Sequence, residues 1–325
     1  MRFIIYGVGA IGGTFAAALT RAGYDVIGIA RGRMLDALKR DGLLFRTPQA
    51  ADRIRFPVVA SPAEIAFQPD DVIFLTMKSQ DTAAAVLALR DAGVRDQPVV
   101  SAQNGINNER LALRLFPNTY AMTVLLPADY IVPGEVACYG TPRHGICDLG
   151  RYPHGLDDNV AAIAAALDNA NFAAFPMEQI LRSKHGKLLE NLGNVIEAAL
   201  GPGVRAPDVS AAVRAEAEAA YRAAGITEWM DIGSNEPRRA GVLEIVKIEG
   251  IARTGGSSTQ SLKRRAGSIE TDYLNGEIVL LGRLHGVPTP LNAALCALAQ
   301  EMIGTGVQPG SVTPAALRER LGLAG

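Results

Sequence analysis

Apolar residues fall in short unbroken runs through the first half of the chain and in longer periodic stretches through the second. The runs at residues 2–6, 25–30, 71–76 and 98–101 are rich in aliphatic residues and show little polar alternation. Continuous runs mark strands covered on both faces. Between them, residues 10–22, 33–41, 82–92 and 107–116 read as helices, three of them followed by Gly23, Gly42 and Gly93. Strands alternating with helices predict a parallel sheet. Residues 119–126, 136–139 and 145–149 read as strands that extend this sheet in antiparallel fashion, followed by a helix at 158–169 and a strand at 172–175. Beyond 178 the strand signals fade. A long helix at 178–200 ends at Gly201-Pro202-Gly203, and further helices are predicted at 210–224, 269–285 and 293–303. The pattern predicts an α/β fold, with a sheet domain at 1–177 and an all-helical domain at 178–325.

Composition narrows the class. With 325 residues, two domains are the expectation. A hydrophobic fraction of 48% and a charged fraction of 20% exclude a wholly disordered chain. A net charge of -1 gives no electrostatic case for a nucleic-acid or membrane-surface partner. Cys138, Cys147 and Cys296 are too few for a disulfide framework and suit a reducing compartment. No stretch reaches the roughly 18 apolar residues of a membrane span. The opening MRFIIYGVGAIGG is cut by Gly7, Gly9, Gly12 and Gly13 and does not read as a signal peptide, so the expected location is cytoplasmic. A homodimer is compatible with these features.

Gly7-Val8-Gly9-Ala10-Ile11-Gly12 is a G-x-G-x-x-G run placed after a predicted strand and opening a predicted helix. Such glycines permit a tight turn and close approach of a pyrophosphate to the helix N-terminus, which predicts a Rossmann-type dinucleotide site at Gly7, Gly9, Ala10, Ile11 and Gly12. The second strand runs into Ile29-Ala30-Arg31-Gly32-Arg33, with no carboxylate for a ribose 2′-hydroxyl. A guanidinium matches a 2′-phosphate in charge and geometry. The expected cofactor is therefore NADP(H), with Arg31 as principal ligand and Arg33 as a second.

Polar residues interrupt three segments that should be apolar. Lys78 and Asn104 follow the C-terminal ends of predicted strands, the edge that faces the ligand in open α/β sheets. Lys187, Asn191 and Asn194 lie at i, i+4 and i+7 of the long predicted helix and should form one polar stripe, with Asn191 and Asn194 as substrate-binding candidates. By residue type alone, each is equally well a surface or capping group.

Together these segments resemble the ketopantoate reductase (2-dehydropantoate 2-reductase) family. The resemblance runs through Gly7–Gly13, Arg31-Gly32, Met77–Thr82, Gln103-Asn104-Gly105, Lys187–Asn191, Glu270–Gly276 and Gly286–Pro290. It implies NADPH-dependent reduction of a 2-oxo acid, ketopantoate or a relative, to the 2-hydroxy acid, as in pantothenate biosynthesis. It also implies a helical C-terminal domain and an interdomain cleft. Position by position, it makes Lys187 the general acid and puts Glu270 near the substrate hydroxyl. Lys78 and Asn104 would line the nicotinamide and substrate region, and Asn191 the substrate side. Ser257 or Ser258 would contact substrate, the count from Glu270 favouring Ser258 and that from Gln260 favouring Ser257. The types suit the chemistry: an ammonium can stabilise charge developing on the carbonyl oxygen and then donate its proton.

The segment that chooses substrate departs from the family. Thr254 or Gly255 stands where an Asn is frequent, and Gln260–Gly267 is altered, which puts the identity of the 2-oxo acid in question more than the reaction. Cys138, His144, Cys147 and His154 lack metal-ligand spacing, so no metal is expected. No Tyr precedes a Lys by four residues and no phosphate-loop motif occurs. Lys263-Arg264-Arg265 reads as a solvated basic face. The alternatives to a 2-oxo acid reductase are a non-catalytic NADP(H)-binding sensor and a reductase of another carbonyl or an imine. The presence of both Lys187 and Glu270 weighs against the sensor, which needs no proton donor.

Overall fold

The computed structural model describes residues 1–233, 236–264 and 267–323. Its first elements are β1 (Arg2–Tyr6), α1 (Ala10–Arg21), β2 (Asp25–Ile29), α2 (Gly32–Asp41), β3 (Leu43–Arg46), β4 (Ala51–Ile54), β5 (Val58–Val59), β6 (Asp71–Leu75), α3 (Thr82–Asp91), β7 (Val99–Ser101) and α4 (Asn108–Leu113). Then come β8 (Thr119–Leu125), β9 (Ala128–Val132), β10 (Glu135–Cys138), β11 (Gly140–Pro142), β12 (Ile146–Arg151), α5 (Asp158–Asn169), β13 (Ala173–Pro176) and α6 (Ile180–Asn191). The remainder is α7 (Asn194–Leu200), α8 (Pro207–Ala223), β14 (Leu243–Ile245), α9 (Ser257–Lys263), α10 (Asn275–His285), α11 (Pro290–Thr305) and α12 (Pro314–Arg320).

The chain divides into two compact units. The first is Met1–Lys184 with Gly233–Arg253, and the second is His185–Ile232 with the chain from Thr254 onward. The division thus falls inside α6, not at 177/178. The start of α6 stays with the first unit because Ser183 bonds the buried Asp148 on β12 and Lys184 is buried there. Segment 233–253 returns to that unit because β14 pairs with β11 and Arg238 reaches Asp148 at 2.5 Å.

The main sheet of the first unit has strand order β13-β12-β8-β7-β6-β1-β2-β5. From β5 through β8 the strands are parallel; β12 runs antiparallel to β8, and β13 runs parallel to β12. The parallel sheet and its antiparallel extension are thus as the hydrophobic runs predict. β10, expected in that extension, instead joins a second sheet, β4-β3-β10-β9. Val136 on β10 packs on α1, where a side chain at Gly13 would meet it at 3.0 Å. α1 is consequently covered from both sides, and every residue from Gly12 to Leu19 is buried. Only small or apolar residues fit such a helix, which accounts for its alanines.

The helices of the second unit pack around Val213, Ala217, Ile278 and Leu295, all buried. Glu216 of α8 accepts from the amides of Leu291 and Asn292 at 2.8 and 2.9 Å and so satisfies the start of α11. The Gly286–Pro290 segment is the connection: Gly286 closes α10 at φ 70°, and Pro290 begins α11. The helix predicted at 178–200 is two helices, α6 and α7, broken at Leu192-Gly193. The Leu192 carbonyl accepts from Asn275 Nδ2 at 3.3 Å, an alternative partner at the break. The helix predicted at 269–285 likewise starts as a 3-10 turn, Glu270–Tyr273, before α10. Among the described residues, no helix is long and apolar enough to cross a membrane.

Candidate active site

The glycine run forms the turn between β1 and α1. Gly7 has φ 107°, and a side chain there would lie 2.6 Å from the Met77 amide nitrogen. A side chain at Gly12 would lie 2.3 Å from the Gly7 carbonyl and 2.4 Å from Thr76 Oγ1. Gly9 differs: its nearest neighbour would be the Gly7 oxygen at 4.0 Å, so the protein itself does not require glycine there. α1 has no side-chain cap and no acid in its first turn. The amides of Ala10, Ile11 and Gly12 therefore open this helix beside a position free of a side chain, a cradle suited to a phosphate group.

Lys78 and Asn104 follow β6 and β7, and a buried polar network ties their loops together. Gln103 Nε2 donates to the Met77 carbonyl at 2.9 Å and to Thr82 Oγ1 at 2.7 Å. Thr82 Oγ1 donates to Asn108 Oδ1 at 2.8 Å, and Asn108 Nδ2 donates to Ser79 Oγ at 3.1 Å and to the Asn104 carbonyl at 2.9 Å. This network fixes the backbone on both sides of the two residues. Residue type alone does not reveal it, because Thr82, Asn108 and Gln103 look like ordinary helix and loop residues. Arg31 stands at the start of α2 with its side chain 83% exposed and pairs with Asp81 at 2.9 Å. An exposed pair of this kind is weak and opens readily. Arg33 is exposed as well.

In the second unit Lys187 and Asn191 share one face of α6, but the helix break removes Asn194 from that stripe. Asn194 instead opens α7 and lies beside the turn that leads to Ser257. A side chain at Gly256 would meet Asn194 Oδ1 at 3.8 Å and Glu197 Oε2 at 2.7 Å. Glu197 Oε1 accepts from the Gly256 amide at 2.9 Å. Ser257 and Ser258 begin α9, the first half-buried and the second buried. Glu270 is buried at the start of its 3-10 turn. Asn191 is 4% exposed, yet among the described residues its Nδ2 has no acceptor, and the buried hydroxyls of Thr259 and Thr271 also lack partners there. Buried donors without partners are uncommon and are met by a ligand or ordered water.

The residues set aside in the sequence have other surroundings. Burial pushes the Cys138 thiol up to about 12 and Cys147 well above its usual value, so neither is poised as a thiolate. Lys263 Nζ donates to the Thr254 carbonyl at 3.2 Å, and Arg265 lies outside the described residues. Two features escaped the sequence reading altogether: Lys184, buried against Glu109, and Glu197 at the Gly255-Gly256 turn. A lysine three residues before Lys187 was the sole hint of the first.

Comparison with known proteins gives one consistent result. A family model described as ketopantoate reductase PanE/ApbA matches residues 3–153, and its C-terminal counterpart matches 203–302. The chain is 30% identical over 315 residues to a 2-dehydropantoate 2-reductase of Pyrococcus horikoshii, covering 94% of this chain and 99% of that one. A 2-dehydropantoate 2-reductase of Caulobacter vibrioides is 29% identical, with 90% and 96% covered. Among solved structures, a PanE/ApbA family ketopantoate reductase from Ralstonia eutropha JMP134 aligns with TM-score 0.76 and 27% identity over 94% of this chain and 99% of that one. D-mandelate dehydrogenase, solved with NADH and anilino(oxo)acetate, shares the fold at TM-score 0.77 and 22% identity, over 94% and 99%.

Proposed function

This chain belongs to the ketopantoate reductase family of oxidoreductases, and from that premise we propose that it uses NADPH to reduce a 2-oxo acid, ketopantoate or a close relative, to the 2-hydroxy acid. Bound reduced nicotinamide supplies the hydride. The Gly7–Gly12 turn and the first amides of α1 hold the pyrophosphate, Arg31 takes the 2′-phosphate, and Lys78 and Asn104 line the nicotinamide end. Lys187 acts on the substrate oxygen. Negative charge grows there as the 2-oxo carbon is reduced, so an ammonium at that oxygen stabilises the transition state and then gives up its proton. Asn191 Nδ2 donates to the substrate, Glu270 accepts from the developing hydroxyl, and Ser257 or Ser258 serves the carboxylate. Asn194, next to the Ser257 turn, orients that segment.

The observation that carries this reading is on α6: one helical turn after Lys187, a buried amide donor has no acceptor among the described residues. An uncompensated donor of that kind costs about 1–3 kcal/mol unless something bound accepts from it.

The test follows NADPH absorbance against a panel of 2-oxo acids, imines and hydroxy acids. Turnover is expected with a 2-oxo acid, and Lys187→Ala is expected to lower kcat by about 10²–10⁴. A variant keeping more than half of wild-type kcat would remove Lys187 as the acid. Tight NADPH binding without turnover on any compound would favour the sensor.

A further inference from the structure

Beside the loop that bears Asn104 lies an ion pair that the reaction scheme does not use. Lys184 Nζ is 2.7 Å from Glu109 Oε1, with the two side chains 2% and 0% exposed. The same ammonium donates to the Gln103 carbonyl at 2.7 Å and approaches the Met122 carbonyl at 3.4 Å. Among the described residues, Lys184 is the only cation paired with Glu109, and the carboxylate oxygens accept no hydrogen bond.

A sealed one-to-one pair is a poor way to gain stability. The desolvation of both ions rivals their attraction, and apolar residues of like volume do as well or better. What this pair provides that an apolar pair does not is an N–H aimed at the Gln103 carbonyl. That carbonyl belongs to the peptide joining Gln103 to Asn104. The Asn104 carbonyl is held separately by Asn108 Nδ2 at 2.9 Å. Both peptide planes flanking the Asn104 α-carbon are therefore fixed, one by the ammonium and one by the asparagine, and its side-chain direction is set by them. Glu109 supplies the counter-charge beside this amine, and the amine's N–H reaches the Gln103 carbonyl.

We propose that Lys184, with Glu109 as its counter-charge, is a positioning residue that orients Asn104 for the reaction. The inference rests on the reading of Asn104 as a nicotinamide-side residue. It adds a device in which a buried cation acts through the backbone and does not touch substrate or cofactor.

The test uses the intact enzyme and three changes. Lys184→Met alone strands a buried carboxylate, and its failure to fold would not discriminate. Lys184→Met/Glu109→Leu keeps an apolar pair of similar volume but removes the donor. Glu109→Gln keeps the amine as a donor. The Met/Leu variant is expected to fold and to lose about 10- to 100-fold in kcat, with NADPH affinity, measured by fluorescence titration, changed by less than about threefold. Glu109→Gln is expected to retain most of the activity. Asn104→Ala should cost much less in the Met/Leu background than in wild type, because the orientation it exploits is already lost. Hydrogen exchange of the peptide covering 101–108 should speed up in Met/Leu and not in Glu109→Gln. Wild-type kcat in Met/Leu, or full additivity with Asn104→Ala, would overturn the proposal. If wild type turns over no substrate, the functional reading fails instead. The exchange arm then decides the pair alone: unchanged protection at 101–108 refutes it.

Discussion

The glycine turn shows two different demands on one residue type. Gly12 is required by packing, since any side chain would sit 2.3 Å from a backbone oxygen. Gly12→Ala should therefore destabilise the fold by about 1–3 kcal/mol or more, visible as a lower melting temperature. Gly9 meets no such obstacle, so Gly9→Ala should leave the melting temperature of the cofactor-free protein within a few degrees of wild type yet weaken NADPH binding. Equal damage to stability from both changes would refute the distinction. Arg31 likewise acts as a single residue. Among the described residues its ion-pair partner is the partly exposed Asp81, and one charge-assisted contact to a phosphate is worth about 1.5–3 kcal/mol. Arg31→Ala should weaken NADPH by roughly 10- to 150-fold and NADH little. A matching loss for the two cofactors would sink the 2′-phosphate assignment.

At the scale of elements, the period of the hydrophobic pattern located β1, β2, β6, β7 and the helices α1 to α5 well, but not the short β5 or the helices α9 and α12. It could not locate the break between α6 and α7. Lys187, Asn191 and Asn194 have helical spacing, and nothing local in Asn191–Asn194 except Gly193 opposes a continuous helix. The break is backed from a distant segment, where Asn275 bonds both the Leu192 carbonyl and Asn292 Oδ1, the latter at 3.1 Å. Asn275→Leu should orphan both acceptors and cost about 2–3 kcal/mol in denaturant unfolding. A loss below about 0.5 kcal/mol would show that the break stands without this bond. The second sheet escaped for a similar reason: β3, β4 and β9 are short and mixed in polarity, and only their pairing with β10 over α1 defines them.

The molecule as a whole carries a pH sensitivity that no motif announces. His144 is buried in the first unit, edge-on to Phe45 and Phe172 at ring distances of 5.5 and 5.6 Å. Burial, with a smaller contribution from the Arg21 charge, pushes its imidazole down to about 4. The unfolded chain binds a proton near the ordinary value of about 6.5 while the folded chain stays neutral, so stability falls as pH drops through that window. At pH 5 the loss is about 2 kcal/mol relative to pH 8. His144→Phe should remove this component from the difference between melts at pH 8 and pH 5. An unchanged difference would show that the histidine is not responsible.

The local placement of the motifs was readable in the sequence. A glycine turn, an arginine without a nearby acid and a lysine four residues before an asparagine impose their consequences through neighbouring backbone, and neighbours in sequence are all that such features need. The alternating strands and helices were readable for the same reason, since the period of burial is a property of each segment. The burial of Lys184 against Glu109, the return of 233–253 to the sheet unit and the interruption of α6 were not. Each depends on a partner many residues away whose approach is set by packing, and a charged or polar side chain looks the same in sequence whether it meets water or a buried counterpart.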